Sequence, residues 1–305
     1  DSFKQCVREC VRALNEVLDE GMPLHPLEEQ RESVRDWRQI GLGIMGLADM
    51  LIKMGIPYGD QDSQELCDRI GFADTAIAAS AMMAKEQGMF PKCSINAIMD
   101  TPYFEANTSA PTKELVKKYG LHNSQLLTIA PTGTLSTMLG ISGGIEPVFA
   151  NYYVRKTESL HGKDVYYKVY TKIVDTYMKD HKLTDDSMLP DYFVTAMTLD
   201  YRQRIDMQSV WQQHIDASIS STVNVPNQFT VEETESLYLY AYEKGLKGIT
   251  IFRDGCKRVG ILTPEEEKKQ KGAVAGEGLK RGEIIQVNDD VIGKKRKLIT
   301  GCGSL

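Results

Sequence analysis

The spacing of apolar residues divides the first third of the chain into helical segments. Apolar residues recur every three or four positions up to about Glu20, which predicts an amphipathic helix that Gly21 ends. A second helical pattern covers residues 43–54. A long third one covers residues 62–88 and begins near Asp62, with Glu65 as its capping-box partner. The apolar positions of the first segment are Phe3, Cys6, Val7, Cys10, Val11, Leu14, Val17 and Leu18.

The pattern changes after the third helical segment. Residues 92–115 contain two prolines and predict a loop. From there, short β-prone runs alternate with helical ones, which is typical of α/β architecture. The predicted strands are residues 125–129, 148–154, 218–225 and 249–252. The predicted helices are residues 165–181, residues 205–216 and a segment that runs from a Thr230–Glu233 capping box to about Glu243.

Composition excludes several classes of protein. The chain has 305 residues, 42% of them apolar, and a formal net charge of −6. The acidic balance argues against a nucleic-acid partner, because neutralising phosphates requires clustered Lys and Arg. The most apolar stretch, residues 76–84, is about half of the ~20 residues that a membrane-spanning helix needs, so no membrane span is expected.

Composition also predicts the domain organisation. Residues 1–262 form one α/β domain, and residues 263–282 are charged, rich in Gly and Ala and without periodicity, which predicts a flexible linker. Residues 283–305 predict the start of a small, cysteine-containing β module that the end of the chain truncates. Since the chain begins directly in a helical pattern, we expect it to be a piece of a longer protein.

Six cysteines, at positions 6, 10, 67, 93, 256 and 302, form no CxxC pair and no cluster with zinc-ligand spacing. Cys6 and Cys10 lie one helical turn apart. They are either a redox pair or, as we expect, free thiols that pack as small hydrophobic side chains. Free cysteines of this kind predict a reducing, cytoplasmic location, and no metal site is predicted.

The first candidate motif is Gly41-Leu-Gly-Ile-Met-Gly46, which satisfies the dinucleotide-binding pattern GxGxxG. That motif binds a pyrophosphate only when a buried strand precedes it. The preceding residues 31–39 are polar and charged. We therefore expect these glycines to permit close helix packing.

The second candidate is the segment after the predicted strand 125–129. A glycine and several hydroxyl residues precede a predicted helix there, so backbone N–H groups and the helix dipole could bind an anion without any lysine. An ordinary capped helix start explains the same pattern equally well, and no Walker loop occurs anywhere in the chain. The residues concerned are Ala130, Pro131, Thr132, Gly133, Thr134, Leu135 and Ser136.

Glu146 is a further candidate because it follows a glycine-rich run and precedes Pro147. It could act as an acid or base, or accept hydrogen bonds from the glycine-rich loop. We favour hydrogen-bond acceptance.

Four long segments resemble the catalytic chain of ribonucleotide reductase, and specifically the carboxy-terminal half of the adenosylcobalamin-dependent class. The tail, with LKRGEIIQ and KLITGCGSL, is similar to the start of the small module that ends many such reductases. The four segments are RQIGLGIMGLADMLIKMGIPY (38–58), TIAPTGTLSTMLGISGGIEPVFANYYVR (128–155), HIDASISSTVNVPNQFT (214–230) and EKGLKGITIFRDG (243–255).

The resemblance implies a ten-stranded α/β barrel of which this chain supplies the second half. It implies that residues 130–136 bind the phosphates of a ribonucleotide substrate. It also implies adenosylcobalamin as the radical source, a thioredoxin-like reductant and a homodimer of the full-length chain. The absence of tyrosines in residues 249–252 favours the cobalamin class over the metal-dependent class, in which paired tyrosines carry the radical.

One departure from the family pattern limits what the chain can do alone. The family requires a thiyl-radical cysteine with Asn and Glu beside it and a redox cysteine pair, but no Asn-x-Cys-x-Glu occurs here. We expect these residues upstream, in an amino-terminal half of the barrel, and name no catalytic residue. The alternatives are a metal-dependent reductase chain, or a non-catalytic phosphate-binding half that needs a partner chain.

Overall fold

A computed structural model describes residues 1–157, 165–255, 299–300 and 303–304. Helices dominate the described part of the chain. Their bounds are α1 (Ser2–Gly21), α2 (Glu28–Trp37), α3 (Leu47–Met54), α4 (Gln61–Asp68), α5 (Phe72–Gln87), α6 (Ile95–Met99), α7 (Pro102–Asn107), α8 (Ala110–Tyr119), α9 (Gly133–Leu139), α10 (Lys172–Asp180), α11 (Tyr201–His214) and α12 (Val231–Glu243). None of these helices is long and apolar enough to cross a membrane.

The strands are short and form two-stranded sheets. Within residues 1–255 the strands are β1 (Tyr152–Thr157), β2 (Val165–Tyr170), β3 (Thr222–Val225) and β4 (Thr250–Arg253). β1 pairs antiparallel with β2, and β3 pairs parallel with β4.

Several predicted helices are confirmed. α1 reaches Gly21, which keeps a right-handed helical conformation and leads into a 3-10 turn over Met22–Leu24, so Gly21 does not terminate the helix as predicted. α3 ends at Met54 as predicted but starts at Leu47 rather than at residue 43. α12 begins at a complete capping box. In that box the Thr230 hydroxyl accepts a hydrogen bond from the Glu233 N–H, and the Glu233 carboxylate accepts one from the Thr230 N–H.

The long third helix is two helices. Gly71 adopts a left-handed conformation with φ +69° and separates α4 from α5. The residue that caps α4 is Asp60 rather than Asp62, since the Asp60 carboxylate accepts a hydrogen bond from the Ser63 N–H at 2.8 Å. The prediction of one continuous helix over residues 62–88 is therefore wrong.

The loop prediction for residues 92–115 is wrong as well, because this segment holds α6, α7 and the start of α8. Both prolines lie in the first turn of a helix, where a missing N–H costs no intrahelical hydrogen bond. Pro102 and Pro111 mark helix starts here.

Residues 165–181 were predicted as a helix, but β2 occupies the first six of them and α10 follows. The β-branched and aromatic residues of this run favour a strand when a partner is present. That partner is β1, whose register with β2 runs from Tyr152 opposite Tyr170 to Thr157 opposite Val165. The strand predicted over residues 148–154 accordingly begins later, at Tyr152.

Parallel chain segments lie side by side around residues 125–129. On one edge, Leu42 bridges Leu127, and on the other edge Ile129 bridges Ile219, both in parallel orientation. The chain continues from Ile219 into β3, which pairs with β4. The order in space is thus residues 40–43, residues 125–129, residues 217–225 and β4. Within the described ranges these segments do not close into a barrel, so the assignment to the second half of a barrel stays a prediction.

Most of the buried side chains form one core beneath these segments. Trp211 of α11 is fully buried and meets Phe72 of α5 edge to face, with ring centroids 6.5 Å apart. A second, smaller core lies between β3 and α12 and contains Val223, Val225 and Leu237.

The chain divides into two compact units, residues 1–265 and residues 266–305. In the second unit, β5 (Ile299–Thr300) pairs antiparallel with β6 (Gly303–Ser304). The predicted linker, residues 263–282, and most of the predicted tail module lie outside the described residues. Their boundaries stay predictions.

Asp216 fixes residues 125–129, called the central segment below, to the adjacent residues 217–225. Its two carboxylate oxygens accept hydrogen bonds from the N–H groups of Leu126 and Leu127, each at 2.7 Å. Burial raises the pKa of Asp216, and the two N–H donors partly oppose that rise. The carboxylate therefore takes the place that a neighbouring strand would occupy at the start of residues 125–129.

We predict that Asp216→Ala lowers the free energy of unfolding by about 2–4 kcal/mol, because two backbone donors lose a charged acceptor. Asp200→Ala is the matched control. It removes a carboxylate that caps α11 by accepting from the Arg202 N–H, and it should cost about 1 kcal/mol. Urea unfolding followed by circular dichroism measures both. Equal losses would show that the Asp216 carboxylate contributes no more to stability than the helix-capping carboxylate of Asp200.

Candidate functional site

Residues 130–136, called the 130–136 loop below, follow the carboxyl end of the central segment. Leu127 and Ile129 are buried, whereas Ala130, Pro131, Thr134 and Leu135 are exposed. α9 starts inside this loop, at Gly133. Ligands of parallel α/β sheets bind at the carboxyl ends of the strands, and the loop lies at that edge.

Thr132 has an unusual backbone conformation. Its φ of 43° and ψ of 20° lie in the left-handed region, which costs a residue with a Cβ roughly 1–2 kcal/mol. The Thr132 Oγ1 accepts a hydrogen bond from the Gly144 N–H at 3.0 Å. Because the oxygen serves as acceptor there, the hydroxyl hydrogen stays available for a ligand. Strain of this kind concentrates at functional sites.

The first turn of α9 presents three backbone donors. Among the described residues, the N–H groups of Gly133, Thr134 and Leu135 have no hydrogen-bond acceptor, whereas the Ser136 N–H donates to the Thr132 carbonyl at 2.8 Å. Three consecutive free N–H groups at a helix start attract an anion. Free backbone donors are therefore present at residues 133–135, whereas the Ser136 N–H, which was also expected to face an anion, is already used.

One expected hydroxyl donor is already used. Ser136 is buried, and its Oγ donates to the Gly133 carbonyl at 3.1 Å. Thr137, which the sequence did not single out, donates to the same carbonyl at 2.8 Å. In this structure the Ser136 hydroxyl stabilises the helix start. A role for Ser136 in phosphate binding stays a prediction.

Gly133 has room around it. A Cβ added at this position would meet nothing within 4 Å, and its φ is not in the left-handed region. Neither packing nor backbone conformation of the protein therefore requires a glycine here. Close approach of a ligand to the backbone would supply the missing reason.

Residues 140–147, called the glycine segment below, pack against the 130–136 loop. A Cβ on Gly143 would lie 3.2 Å from Ser136 Oγ, and one on Gly144 would lie 3.5 Å from the Ala130 carbonyl oxygen. At the start of this segment the Ser142 N–H donates to the buried Asp49 carboxylate at 2.7 Å. The loop and this glycine segment thus form one packed layer.

Two polar residues that the sequence did not bring together hold the far end of the glycine segment. The buried Arg204 and Tyr58 side chains both donate to the Ile145 carbonyl. Burial raises the pKa of Tyr58 to about 12, so its hydroxyl stays protonated at neutral pH. The glycine pattern could have pointed to this segment, but no sequence signal pointed to Arg204 or Tyr58.

Glu146 accepts hydrogen bonds, as predicted, but from a different element. Its carboxylate accepts from the Thr222 N–H of β3 at 2.9 Å and lies 3.2 Å from Arg204 Nη2. The glycine-rich loop contributes no donor to it among the described contacts. Glu146 therefore ties the glycine segment to β3.

The family assignment follows from comparison with known proteins. The ribonucleotide reductase barrel domain matches residues 1–252. The chain belongs to this family. The match contains the 130–136 loop, the glycine segment and the parallel segments that carry them.

Named relatives of this ribonucleotide reductase chain fall into two groups. A vitamin B12-dependent ribonucleoside-diphosphate reductase of Mycobacterium tuberculosis is 29% identical over 88% of this chain, and one of Thermoplasma acidophilum is 30% identical over 89%. A ribonucleoside-diphosphate reductase subunit alpha of Chlamydia pneumoniae is 26% identical over 81% of the chain. The matches cover 38%, 35% and 27% of these relatives, so the chain spans about a third of their length.

The first part of the GxGxxG pattern lies beside residues 125–129, because Leu42 bridges Leu127 in parallel orientation. Helix α2, rather than a strand, precedes it. A Cβ on Gly41 would lie 2.7 Å from Thr128 Cγ2, and one on Gly43 would lie 2.4 Å from the Thr128 carbonyl oxygen. The prediction of close helix packing is thus wrong in detail, because Gly41 and Gly43 permit close contact with the central segment.

The cysteines and histidines of the described ranges assemble no metal site, since no group of three or more His, Cys, Asp or Glu side chains converges there. Cys6 is exposed and Cys10 half-buried, with their sulfur atoms 3.9 Å apart. The prediction that both pack as small hydrophobic side chains is wrong for Cys6.

We predict opposite effects of alanine at two glycines. Gly43→Ala should lower the free energy of unfolding by about 1–3 kcal/mol, because the new methyl group meets the Thr128 carbonyl. Gly133→Ala should leave stability unchanged or raise it by up to about 1 kcal/mol, because alanine favours a helix. Chemical denaturation measures both. A large loss from Gly133→Ala would mean that the fold itself requires this glycine.

Proposed function

We propose that the chain is part of a ribonucleotide reductase that converts ribonucleotides to 2′-deoxyribonucleotides by thiyl-radical chemistry. Its own contribution is the 130–136 loop, which binds the phosphates of the substrate. The donors are the N–H groups of Gly133, Thr134 and Leu135 and the hydroxyls of Thr132 and Thr134.

The free first turn of α9 beside a strained Thr132 is the observation that carries this assignment. An ordinary capped helix start would satisfy one of these N–H groups with its own N-cap side chain. Here the Thr132 side chain accepts from Gly144 instead and makes no cap hydrogen bond. The donors therefore remain for a ligand.

The radical cysteine, its neighbouring Asn and Glu and the redox cysteine pair belong, in this proposal, to a part of the reductase outside this chain. A thioredoxin-like reductant, a homodimer of full-length chains and a cytoplasmic location complete it. Two of the named relatives are B12-dependent, and residues 249–252 lack tyrosine, which supports adenosylcobalamin as radical source.

The described residues do not themselves fit a cobalamin site. His122 has a buried Nε2 without a hydrogen-bond partner, but it lies in the core, where its Nδ1 is bonded to the Gly88 carbonyl.

Combining the chain with the rest of the reductase tests the assignment. We predict that a separately expressed amino-terminal half restores reduction, and that Thr134→Pro or Gly133→Val in that complex weakens binding of a ribonucleoside diphosphate about tenfold or more. Proline in the first turn removes one N–H while the helix is kept. Calorimetric titration with CDP measures affinity.

Cytidine, which has no phosphate, is the control ligand, and its affinity should not change. Unchanged CDP affinity in both variants would contradict the loop assignment. Retained CDP binding without any reduction would favour the non-catalytic alternative, in which the chain only binds phosphates.

A second candidate is the metal-dependent class, in which a further subunit supplies the radical. The relative from Chlamydia pneumoniae is named as a subunit alpha, which agrees with an enzyme of more than one subunit. We predict that reduction in the complex requires adenosylcobalamin and no further protein subunit, because residues 249–252 offer no tyrosine pair to carry a radical. Deoxyribonucleotide formation with and without the cofactor measures this. Activity that ignores adenosylcobalamin and needs a radical-bearing subunit would establish the second candidate.

A further inference from the structure

Arg204 is a charged side chain in an unusual place. It projects from α11, and its side chain is only 4% exposed. A buried guanidinium cannot shed its charge by deprotonation, so it needs hydrogen-bond acceptors and a counter-charge. Its surroundings show where those come from.

Its two terminal nitrogens contact Ile145 and Glu146, at the end of the glycine segment. Nη1 donates to the Ile145 carbonyl at 3.0 Å and to the Tyr58 hydroxyl oxygen at 2.6 Å. Nη2 lies 3.2 Å from Glu146 Oε1, which is close enough for an ion pair but is not aligned as a hydrogen bond. In the described ranges, Glu146 is the only carboxylate within 4 Å of this guanidinium.

Glu146 is fixed from two further directions. Its Oε1 also accepts from the Thr222 N–H of β3, and the following Pro147 restricts its backbone. A cavity of about 10 Å³, lined by Arg204, Thr222 and Asn224 among others, leaves space for about one water molecule beside the guanidinium. The Arg204–Glu146 pair therefore locks Ile145 and Glu146 against α11 and β3.

A single hydrogen bond connects the glycine segment, which Arg204 holds, to the 130–136 loop. Gly144 directly precedes Ile145, and its N–H is the donor that occupies Thr132 Oγ1 at 3.0 Å. If Ile145 shifts, the Gly144 N–H shifts with it, and the left-handed Thr132 loses the contact that offsets its strain. Thr132 immediately precedes the three free N–H groups of α9.

Resting on the function proposed above, we propose that Arg204 and Glu146 are positioning residues for substrate phosphate. They touch no substrate. They hold Ile145 and Gly144 in place, and through Gly144 they hold Thr132 and the first turn of α9 in the conformation that binds the phosphates.

The test is Arg204→Met in the complex of this chain with the rest of the reductase. Methionine fills similar space without a charge, so Ile145 and Glu146 lose their anchor. We expect KM for CDP and its calorimetric Kd to rise about tenfold or more, with kcat at saturating substrate within about twofold and cytidine affinity unchanged. A purely structural role would lower the active fraction instead, so kcat would fall while KM stayed constant. That result would overturn the proposal.

Arg38→Met is the matched control. Arg38 is also largely buried and ion-paired, but its partners are Asp19 and Asn15 of α1, and none is in the loop or the glycine segment. It should leave KM for CDP unchanged. Arg204→Lys keeps a charge and donors and should recover part of the lost affinity.

Glu146→Gln covers the case in which Arg204→Met does not fold. It is isosteric, keeps an acceptor for Thr222 and removes the counter-charge, and we expect KM for CDP to rise about threefold. No change in KM with this variant would overturn the proposal. Thr134→Pro in the same assay separates the two failures. If it raises KM while Arg204 and Glu146 variants do not, the loop assignment stands and the positioning role fails; if none raises KM, the loop assignment fails too.

Discussion

Residues 125–129 are hydrogen-bonded along both edges, and the rest of the candidate site depends on that arrangement. Residues 40–43 pair with one edge and residues 217–220 with the other, while the Asp216 carboxylate accepts from the N–H groups of Leu126 and Leu127. Residues 125–129 form isolated bridges rather than the predicted strand, but a segment held on both sides cannot slip in register without losing these bonds together. Its carboxyl end, where the 130–136 loop begins, is therefore fixed relative to β3 and to the glycine segment.

The loop built on that end can bind an anion with no cationic side chain of its own. Residues 130–136 contain no lysine and no arginine, and the chain as a whole carries a net charge of −6. The donors are backbone N–H groups and threonine hydroxyls, which are held at fixed positions and need no ordering when a ligand binds. Arg204 contributes its charge indirectly, by holding the backbone behind the loop through Ile145 and Glu146. The acidic composition and a phosphate ligand are therefore compatible.

Local signals in the sequence predicted local structure well. The Thr230–Glu233 capping box and the helix after residue 130 lie where expected, because helix caps act within one turn. Errors arose where distant segments decide the outcome. β2 forms only because β1 lies opposite. The error at Pro102 is local instead, because the Thr101 cap and a proline in the first turn of α7 are ordinary signals of a helix start. In the candidate site, the loop could be located from the sequence, but the contact of the Ser136 hydroxyl with the Gly133 carbonyl could not. The contact between Arg204 and Glu146 joins residues far apart in sequence and leaves no periodic trace.

A crystal structure of the assembled enzyme with a bound ribonucleoside diphosphate tests the central claim most directly. The account predicts phosphate oxygens within about 3 Å of the backbone nitrogens of Gly133, Thr134 and Leu135, with the Thr132 hydroxyl donating to one of them. Thr132 should keep its left-handed conformation and its contact with Gly144. Phosphates bound elsewhere, with the first turn of α9 still free or facing only solvent, would contradict it.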